Sequence, residues 1–229
     1  MRCRVALACG LSLCVALAAA APARAGEAPA DFSGPSLGLH TSYGFGASDW
    51  CFCNFVGPAI DATGGSGGVL AGGRAAYGVR FGDFVLEGET RLSYASVAFA
   101  DSCGPALGCA GELQWLGEAD LNAGLVIFGD IMMAASVAYA EGDLRATTVV
   151  AAGPAAGTTR EETATHDGRV YGARIERAMS GGWRFGLEYR YYDMSGTNLA
   201  ADATGAPTQA DIDWHAHVAG LTIAYELGD

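Results

Sequence analysis

Apolar and polar residues alternate with a period of two along most of this chain. The clearest case is Trp183-Arg184-Phe185-Gly186-Leu187-Glu188-Tyr189-Arg190-Tyr191-Tyr192. Trp183, Phe185, Leu187, Tyr189 and Tyr191 share one side; Arg184, Gly186, Glu188, Arg190 and Tyr192 share the other. Successive side chains on a β-strand point to opposite faces, so this segment carries an aromatic, apolar face and a charged face. A soluble sandwich turns the apolar face to its core. A transmembrane barrel turns it to lipid and the polar face to the lumen.

Eight segments alternate in this way. The first sets Leu37, Leu39, Thr41, Tyr43 and Phe45 against Ser36, Gly38, His40, Ser42 and Gly44. The second, Val69 to Phe81, sets Val69, Ala71, Ala75, Tyr77, Val79 and Phe81 against Arg74, Ala76, Gly78 and Arg80. The third sets Phe84, Leu86, Thr90, Leu92 and Tyr94 against Glu87, Glu89, Arg91 and Ser93. The fourth sets Leu113, Trp115, Ala119, Leu121, Leu125 and Ile127 against Gln114, Glu118, Asp120 and Asn122. The fifth, Ile131 to Glu141, is poorer, and the sixth puts Tyr171, Ala173 and Ile175 opposite Gly172, Arg174 and Glu176. Trp183–Tyr192 is the seventh. The last, Val218 to Leu227, sets Leu221, Ile223, Tyr225 and Leu227 against Gly220, Thr222, Ala224 and Glu226. A 3.6-residue period would scatter these apolar positions around a helix axis.

The connections point to one of the two folds. Gly82-Asp83, Gly129-Asp130 and Ser180-Gly181-Gly182 are tight-turn signals. Long polar or Gly/Ala/Thr-rich stretches near 47–67, 97–111, 142–167 and 194–210 make the other connections. Short and long connections strictly alternate, as in an outer-membrane barrel with short periplasmic turns and longer outer loops. Greek-key sandwiches show no such alternation. The expected fold is therefore all-β: an eight-stranded antiparallel up-and-down transmembrane β-barrel.

Composition extends this picture. Arg2 and Arg4, the apolar run Val5–Ala21 and Pro22-Ala23-Arg24-Ala25 before Gly26 read as a cleaved secretory signal peptide over 1–25, leaving 26–229 as the barrel domain. No later apolar run approaches the roughly 18–20 residues of a membrane helix. The chain has 13 basic residues, all arginine, and 25 acidic ones. Three arginines leave with the signal, so the mature net charge is −15. That disfavours nucleic acid and anionic lipid as partners.

Placing each polar face in the lumen puts Arg74, Arg80, Arg91, Arg174, Arg184 and Arg190 inside with Glu87, Glu89, Glu118, Asp120, Glu176 and Glu188. An eight-stranded barrel is just wide enough for side chains to fill. Charges there survive only when paired, and the planar guanidinium can bridge two carboxylates. A salt-bridged plug is expected, and the negative surplus falls in loops, turns and termini.

Gly186-Leu187-Glu188-Tyr189-Arg190-Tyr191-Tyr192-Asp193 and the closing stretch His217-Val218-Ala219-Gly220-Leu221-Thr222-Ile223-Ala224-Tyr225 resemble the small outer-membrane β-barrels of Gram-negative bacteria, the porin-family or OmpA-like proteins. Ser33-Gly34-Pro35-Ser36-Leu37-Gly38 matches more weakly the opening of such a barrel. The resemblance covers 32–227 and implies outer-membrane location and insertion by the outer-membrane assembly machinery. Such proteins usually end on an aromatic residue; Leu227 stands in that place, followed by Gly228-Asp229.

Candidate chemistry is sparse. Cys51, Cys53, Cys103 and Cys109 remain after the signal, and an exported chain favours disulfides. Cys51 and Cys53 are close for easy bridging, Cys103–Cys109 would close a small loop, and pairing between the two loops would staple neighbouring lids. Some barrels of this kind deacylate or acylate lipid A. His40 and Ser42 share a face beside Glu226, but i and i+2 lie some 6–7 Å apart on a strand, and a structural histidine is expected. His215 and His217, near Asp211 and Asp213, suit rim and aromatic-belt roles, and His166 falls in a loop. Asp49, Asp61, Asp101, Glu161, Glu162, Asp167, Asp202 and Asp211 form an acidic rim whose oxygen ligands suit Ca²⁺ or Mg²⁺ bridging to lipopolysaccharide phosphates. The expectation is a monomeric, non-enzymatic barrel without cofactor, in envelope integrity or surface interaction. A narrow channel and a lipid A-modifying enzyme are the alternatives.

Overall fold

A computed structural model describes residues 31–52, 61–103, 106–201 and 204–227. Residues 1–25, Cys53, Asp202 and Gly228-Asp229 lie outside them. Each alternating segment is a strand: β1 (Gly34–Cys51), β2 (Asp61–Phe81), β3 (Phe84–Ser102), β4 (Leu107–Ile127), β5 (Ile131–Val150), β6 (Thr159–Ala178), β7 (Trp183–Ala201) and β8 (Pro207–Glu226). Every strand is antiparallel to its neighbours, and β8 returns to β1 to close the barrel. Gly82 and Gly129 turn two of the short connections at φ 64° and 81°, a left-handed conformation that glycine adopts without steric cost.

The strands are far longer than the alternation over apolar residues predicts. They run to 18–21 residues, whereas about 9–11 tilted residues cross a bilayer. Much of 47–67, 97–111, 142–167 and 194–210, which reads in the sequence as loop, is strand continuing past the membrane. The inside-outside alternation persists there while polarity inverts. On β8, Leu221 and Tyr225 face outward in the lower part, where Thr222 and Ala224 are buried. Higher up, Asp211 and Asp213 face outward while Ile212, Trp214, Ala216 and Val218 are buried. Apolar side chains face lipid below and an interior core above.

Strand pairing explains how such a core can form. The β2–β3 ladder ends at Ser66–Phe99 and the β6–β7 ladder at Asp167–Ser195. These breaks lie on opposite sides of the barrel, above the outer ring of Tyr94, Tyr171 and Tyr191. Beyond them the wall continues as two four-stranded sheets, β7-β8-β1-β2 and β3-β4-β5-β6. Trp50, Leu70, Met194, Ile212 and Trp214 from the first sheet form one cluster with Val97, Phe99, Leu113, Leu144 and Val150 from the second. The molecule is a membrane barrel below and a β-sandwich above.

A β-bulge separates the two regimes on β4. The register shifts between Leu113 and Trp115, with Gln114 as the extra residue. Leu113 therefore turns into the core and Trp115 outward, where its indole donates to Asp143 Oδ2 at 2.7 Å. The sequence pattern places both on one face, because a bulge changes parity without altering composition. Aromatic residues mark both ends of the lipid-facing band. Trp183 packs edge-on to Tyr225 at 5.1 Å near the short turns, and Phe45, Tyr189 and Tyr191 surround His217 at its outer edge. At the short-turn mouth, Phe32, Val85, Val126 and Met132 form a second apolar cluster.

The sandwich should contribute stability as a soluble core does. Leu144→Ala removes a side chain only 1% exposed and is expected to cost about 2–5 kcal/mol. Leu39→Ala, at a lipid-facing position 64% exposed to the surroundings, should leave the upper half untouched. Denaturant unfolding in micelles, followed by hydrogen exchange of β4 and β5 amides, separates the two effects.

Candidate functional site

The lumen between the two apolar clusters is filled with charge. Arg74, Arg91, Arg174, Arg184 and Arg190 meet Glu87, Glu89, Glu118, Asp120, Glu176 and Glu188, and all are buried. In the lower tier, Arg174 bridges Glu87 at 2.5 Å and Glu89 at 2.7 Å. Arg74 meets Glu176 at 2.7 Å and Glu89 at 3.4 Å, and Arg184 meets Glu87 at 3.2 Å while donating to Ser36 Oγ at 2.6 Å. In the upper tier, Arg91 meets Glu188 at 2.7 Å, and Arg190 bonds Asp120 at 2.5 Å and also Glu118. The Tyr192 hydroxyl donates to Glu118 at 3.1 Å. The Arg91–Glu89 bond links the tiers.

Strand geometry accounts for this arrangement. Glu87, Glu89 and Arg91 alternate on the inner face of β3, so one strand presents a carboxylate, a carboxylate and a guanidinium at successive heights. Arg174 on β6 and Arg184 and Glu188 on β7 reach them across the lumen, while Glu176 on β6 meets Arg74 of β2 and Arg190 on β7 meets the carboxylates of β4. The forked guanidinium suits such sharing, as Arg174 does with Nη1 to Glu89 and Nη2 to Glu87.

Arg80 stands apart from the network its alternation predicts. Two residues before the Gly82 turn, its inward position is already the barrel mouth, with 26% of the side chain exposed. It donates to the Gly82 carbonyl at 2.6 Å and to the Asp31 carbonyl at 3.2 Å. Beside it, the Ser33 hydroxyl, 2.6 Å from Asp31 Oδ1, holds the Asp31 carboxyl below its ordinary range.

The residues considered for catalysis are not assembled as a triad. His40 Nε2 lies 2.9 Å from Ser93 Oγ of β3, reached over Gly72 of the intervening β2, and not against Ser42. Glu226 pairs in register with Ser36, and His40 with Thr222, roughly 13 Å along the strand. Glu226 instead accepts from the Phe32 amide at 2.9 Å. His40 and Ser42 are both buried, with the lumenal charges below and the sandwich core above.

His166 also differs from the sequence picture. It lies within β6 and is buried, 2.6 Å from Asn198 Oδ1. The polar, threonine-rich 159–165 that makes it look like loop is the water-facing strand of the sandwich. His215 lies 4.0 Å from Asp49 on the outer surface, and the Tyr189 hydroxyl is 2.6 Å from His217 Nδ1. Among the described residues no cluster of three or more His, Cys, Asp or Glu side chains could hold a metal ion. Cys103, just past the end of β3, and Cys109, in the first residues of β4, form a disulfide, which excludes them from pairing between loops, and Cys51 is also disulfide-bonded. An open groove of about 660 Å³ lies on the outside of the wall, against Ala98, Ala100, Glu112, Arg145 and Glu161.

A family model for an outer membrane protein beta-barrel domain matches residues 11–225. No curated protein matches the sequence. Among solved structures, Ail, the attachment invasion locus protein of Yersinia pestis, is 10% identical, with 83% of this chain and 99% of that chain covered and a TM-score of 0.35. The outer membrane protease OmpT from Escherichia coli is 10% identical, over 83% of this chain and 95% of that one, with a TM-score of 0.43. OprG from Pseudomonas aeruginosa is 8% identical, over 86% and 98%, with a TM-score of 0.37. At such identities and scores these likenesses carry no argument about activity.

Removing one member of the charge network should cost more than removing a matched pair. Glu188→Leu leaves Arg91 with the already shared Glu89, and about 3–5 kcal/mol of destabilisation is expected. Arg91→Leu combined with Glu188→Leu should recover some of that loss. Unfolding midpoints of the three variants in micelles check this; a double variant weaker than the single one would contradict it.

Proposed function

As the chain belongs to the outer membrane protein beta-barrel domain family and is an outer-membrane β-barrel of the Gram-negative envelope, we propose that it is a non-enzymatic barrel with a side-chain-filled lumen, acting in envelope integrity or surface interaction. One observation carries the reading: three layers of side chains occupy the interior in sequence. An apolar cluster stands at the short-turn mouth, the charge network in the middle and the sandwich core above. A solute passing along the axis would have to push through both apolar clusters and a network of buried ion pairs. A lipid acyl chain would find His40 and Ser42 behind a paired wall.

The reading extends to export and partners. Residues 1–25 act as a signal peptide cleaved before Gly26, and the assembly machinery inserts the remaining chain as a monomer. The outer surface just above the aromatic ring carries Asp49, Glu141, Asp143, Asp167, Asp193 and Asp213, with several at adjacent register positions, Asp49 beside Asp213 and Glu141 beside Asp167. Lipopolysaccharide phosphates at that height would repel them unless Ca²⁺ or Mg²⁺ intervened, so lipid contact there is read as bridged by divalent cations. Neither nucleic acid nor a cofactor has a role in this function.

Purified protein in a planar bilayer should be electrically silent, and discrete conductance steps of porin size would sink the filled-lumen reading. Lipid A from cells carrying the protein should keep all its acyl chains. Loss of a chain that Ser42→Ala abolishes would make it an enzyme.

A further inference from the structure

The two breaks in the barrel wall expose strand edges, and the β6 edge is fully described. From Ala178 to Asp167, β6 is paired on both sides. From His166 up to Thr159 it is paired with β5 but not with β7. The direction of its free backbone groups follows from the ends of the ladders. On the β5 side, the Ala178 amide bonds the Asp130 carbonyl and the Val150 amide bonds the Thr158 carbonyl. Even-numbered residues of β6 therefore direct their N–H and C=O groups to β5. On the β7 side, the Met179 amide bonds the Trp183 carbonyl, so odd-numbered residues face β7. Above the break, the N–H and C=O groups of Thr159, Glu161, Thr163 and Thr165 point away from the sheet. Among the described residues they have no backbone partner on that side, and all four residues are exposed.

The opposite edge is sealed in a way that leaves this one open. The Leu199 amide of β7 donates to the Glu162 carboxylate, and the Ala201 amide to Thr148 Oγ1 at 2.8 Å. Asn198 Nδ2 reaches the Leu144 and Glu162 carbonyls, each at 3.4 Å. Upper β7 thus lies against the inner face of β5 and β6 instead of alongside β6. The free stretch has no proline or bulge to block a partner strand; of the devices that guard exposed edges it carries only charge, Arg160 and Glu162 at inward parity and Glu161 outward. Its flank is acidic on balance: Glu141, Asp143, Glu161 and Asp167 face outward against Arg145 and Arg169, and the Arg145–Glu161 pair at 3.5 Å is solvent-exposed, so that an incoming cation can exchange for Arg145.

We propose that the free edge of β6, residues 159–165, is a docking site for an extended basic peptide, which adds to the β3–β6 sheet as an antiparallel strand. Main-chain hydrogen bonds to the odd-numbered residues supply binding, and Glu161 with its acidic neighbours selects lysine or arginine at outward positions. The edge stands above the lipid band, where an extracellular segment can reach it. This proposal rests on the surface-interaction reading. Conductance or acyl cleavage would remove that reading, whereas failure at the edge would leave it standing with no peptide site on β6.

The full-length protein in micelles is titrated with a peptide of about eight alternating threonines and lysines, a length within the ordinary strand range. Hydrogen exchange is read at the Thr159, Glu161, Thr163 and Thr165 amides, with slowing of at least about tenfold expected. An alternating threonine–glutamate peptide should give no slowing. Thr163→Pro removes an outward N–H without removing a bond to β5 and should abolish protection, with the heat-dependent gel shift of a closed barrel retained. If that variant fails to fold, Glu161→Lys should weaken the lysine peptide and favour the glutamate one. An intact barrel with no slowing at these amides overturns the proposal. So does equal protection by both peptides, or protection that depends on protein concentration without peptide, which would assign the edge to a second copy of this chain.

Discussion

In lipid every backbone amide must find its partner within the protein, because no water is available to take its place. That constraint sets the architecture. Between the aromatic rings all eight strands pair on both sides and the wall is closed. The ladders come apart only above the outer ring, past Ser66–Phe99 and Asp167–Ser195, where water can reach a free edge. Closure is compulsory in one solvent and optional in the other.

The same boundary governs the side chains. A strand cannot change which residues face inward unless it bulges, so a chain that runs from lipid into water must change residue type at constant parity. β7 does so within one strand: Arg184, Glu188 and Arg190 are buried below, while Tyr192 and Met194 are buried above. Outside, Leu187 and Tyr189 give way to Asp193, Ser195 and Thr197. The charge network occupies the stretch where the exterior must be apolar and the interior takes the polar half of the alternation. Ion pairing makes that interior tolerable, and the sandwich core above closes it from water.

Much of this is legible in the alternation itself. Eight amphipathic segments joined by alternating short and long connections specify the barrel, because each face has one solvent and each turn type one side of the membrane. The inward charges follow from the same parity, residue by residue, from Glu87 to Arg190. Where the alternation misleads, the causes are physical. The Thr-Arg-Glu-Glu-Thr-Ala-Thr run of 159–165 looks like loop because its apolar complement, Leu144 and Ala146, lies on a neighbouring strand. Trp115 reads as sharing the face of Leu113 because a one-residue bulge leaves no compositional trace. Arg80 obeys the parity and still misses the network, since height along the axis decides whether an inward side chain meets lumen or mouth.

The sequence by itself determined the strand count, the direction of each face within the membrane and the charged filling of the lumen, since those depend only on residue type at a period of two. Tertiary structure decided which guanidinium meets which carboxylate, because partners such as Arg91 and Glu188 come from strands that do not adjoin. It also decided where the barrel splits into two sheets, because strand pairing depends on curvature and register summed around the whole ring. The free edge of β6 belongs to that second kind of property: local composition marks it as polar strand, and only the path of β7 leaves it unpaired.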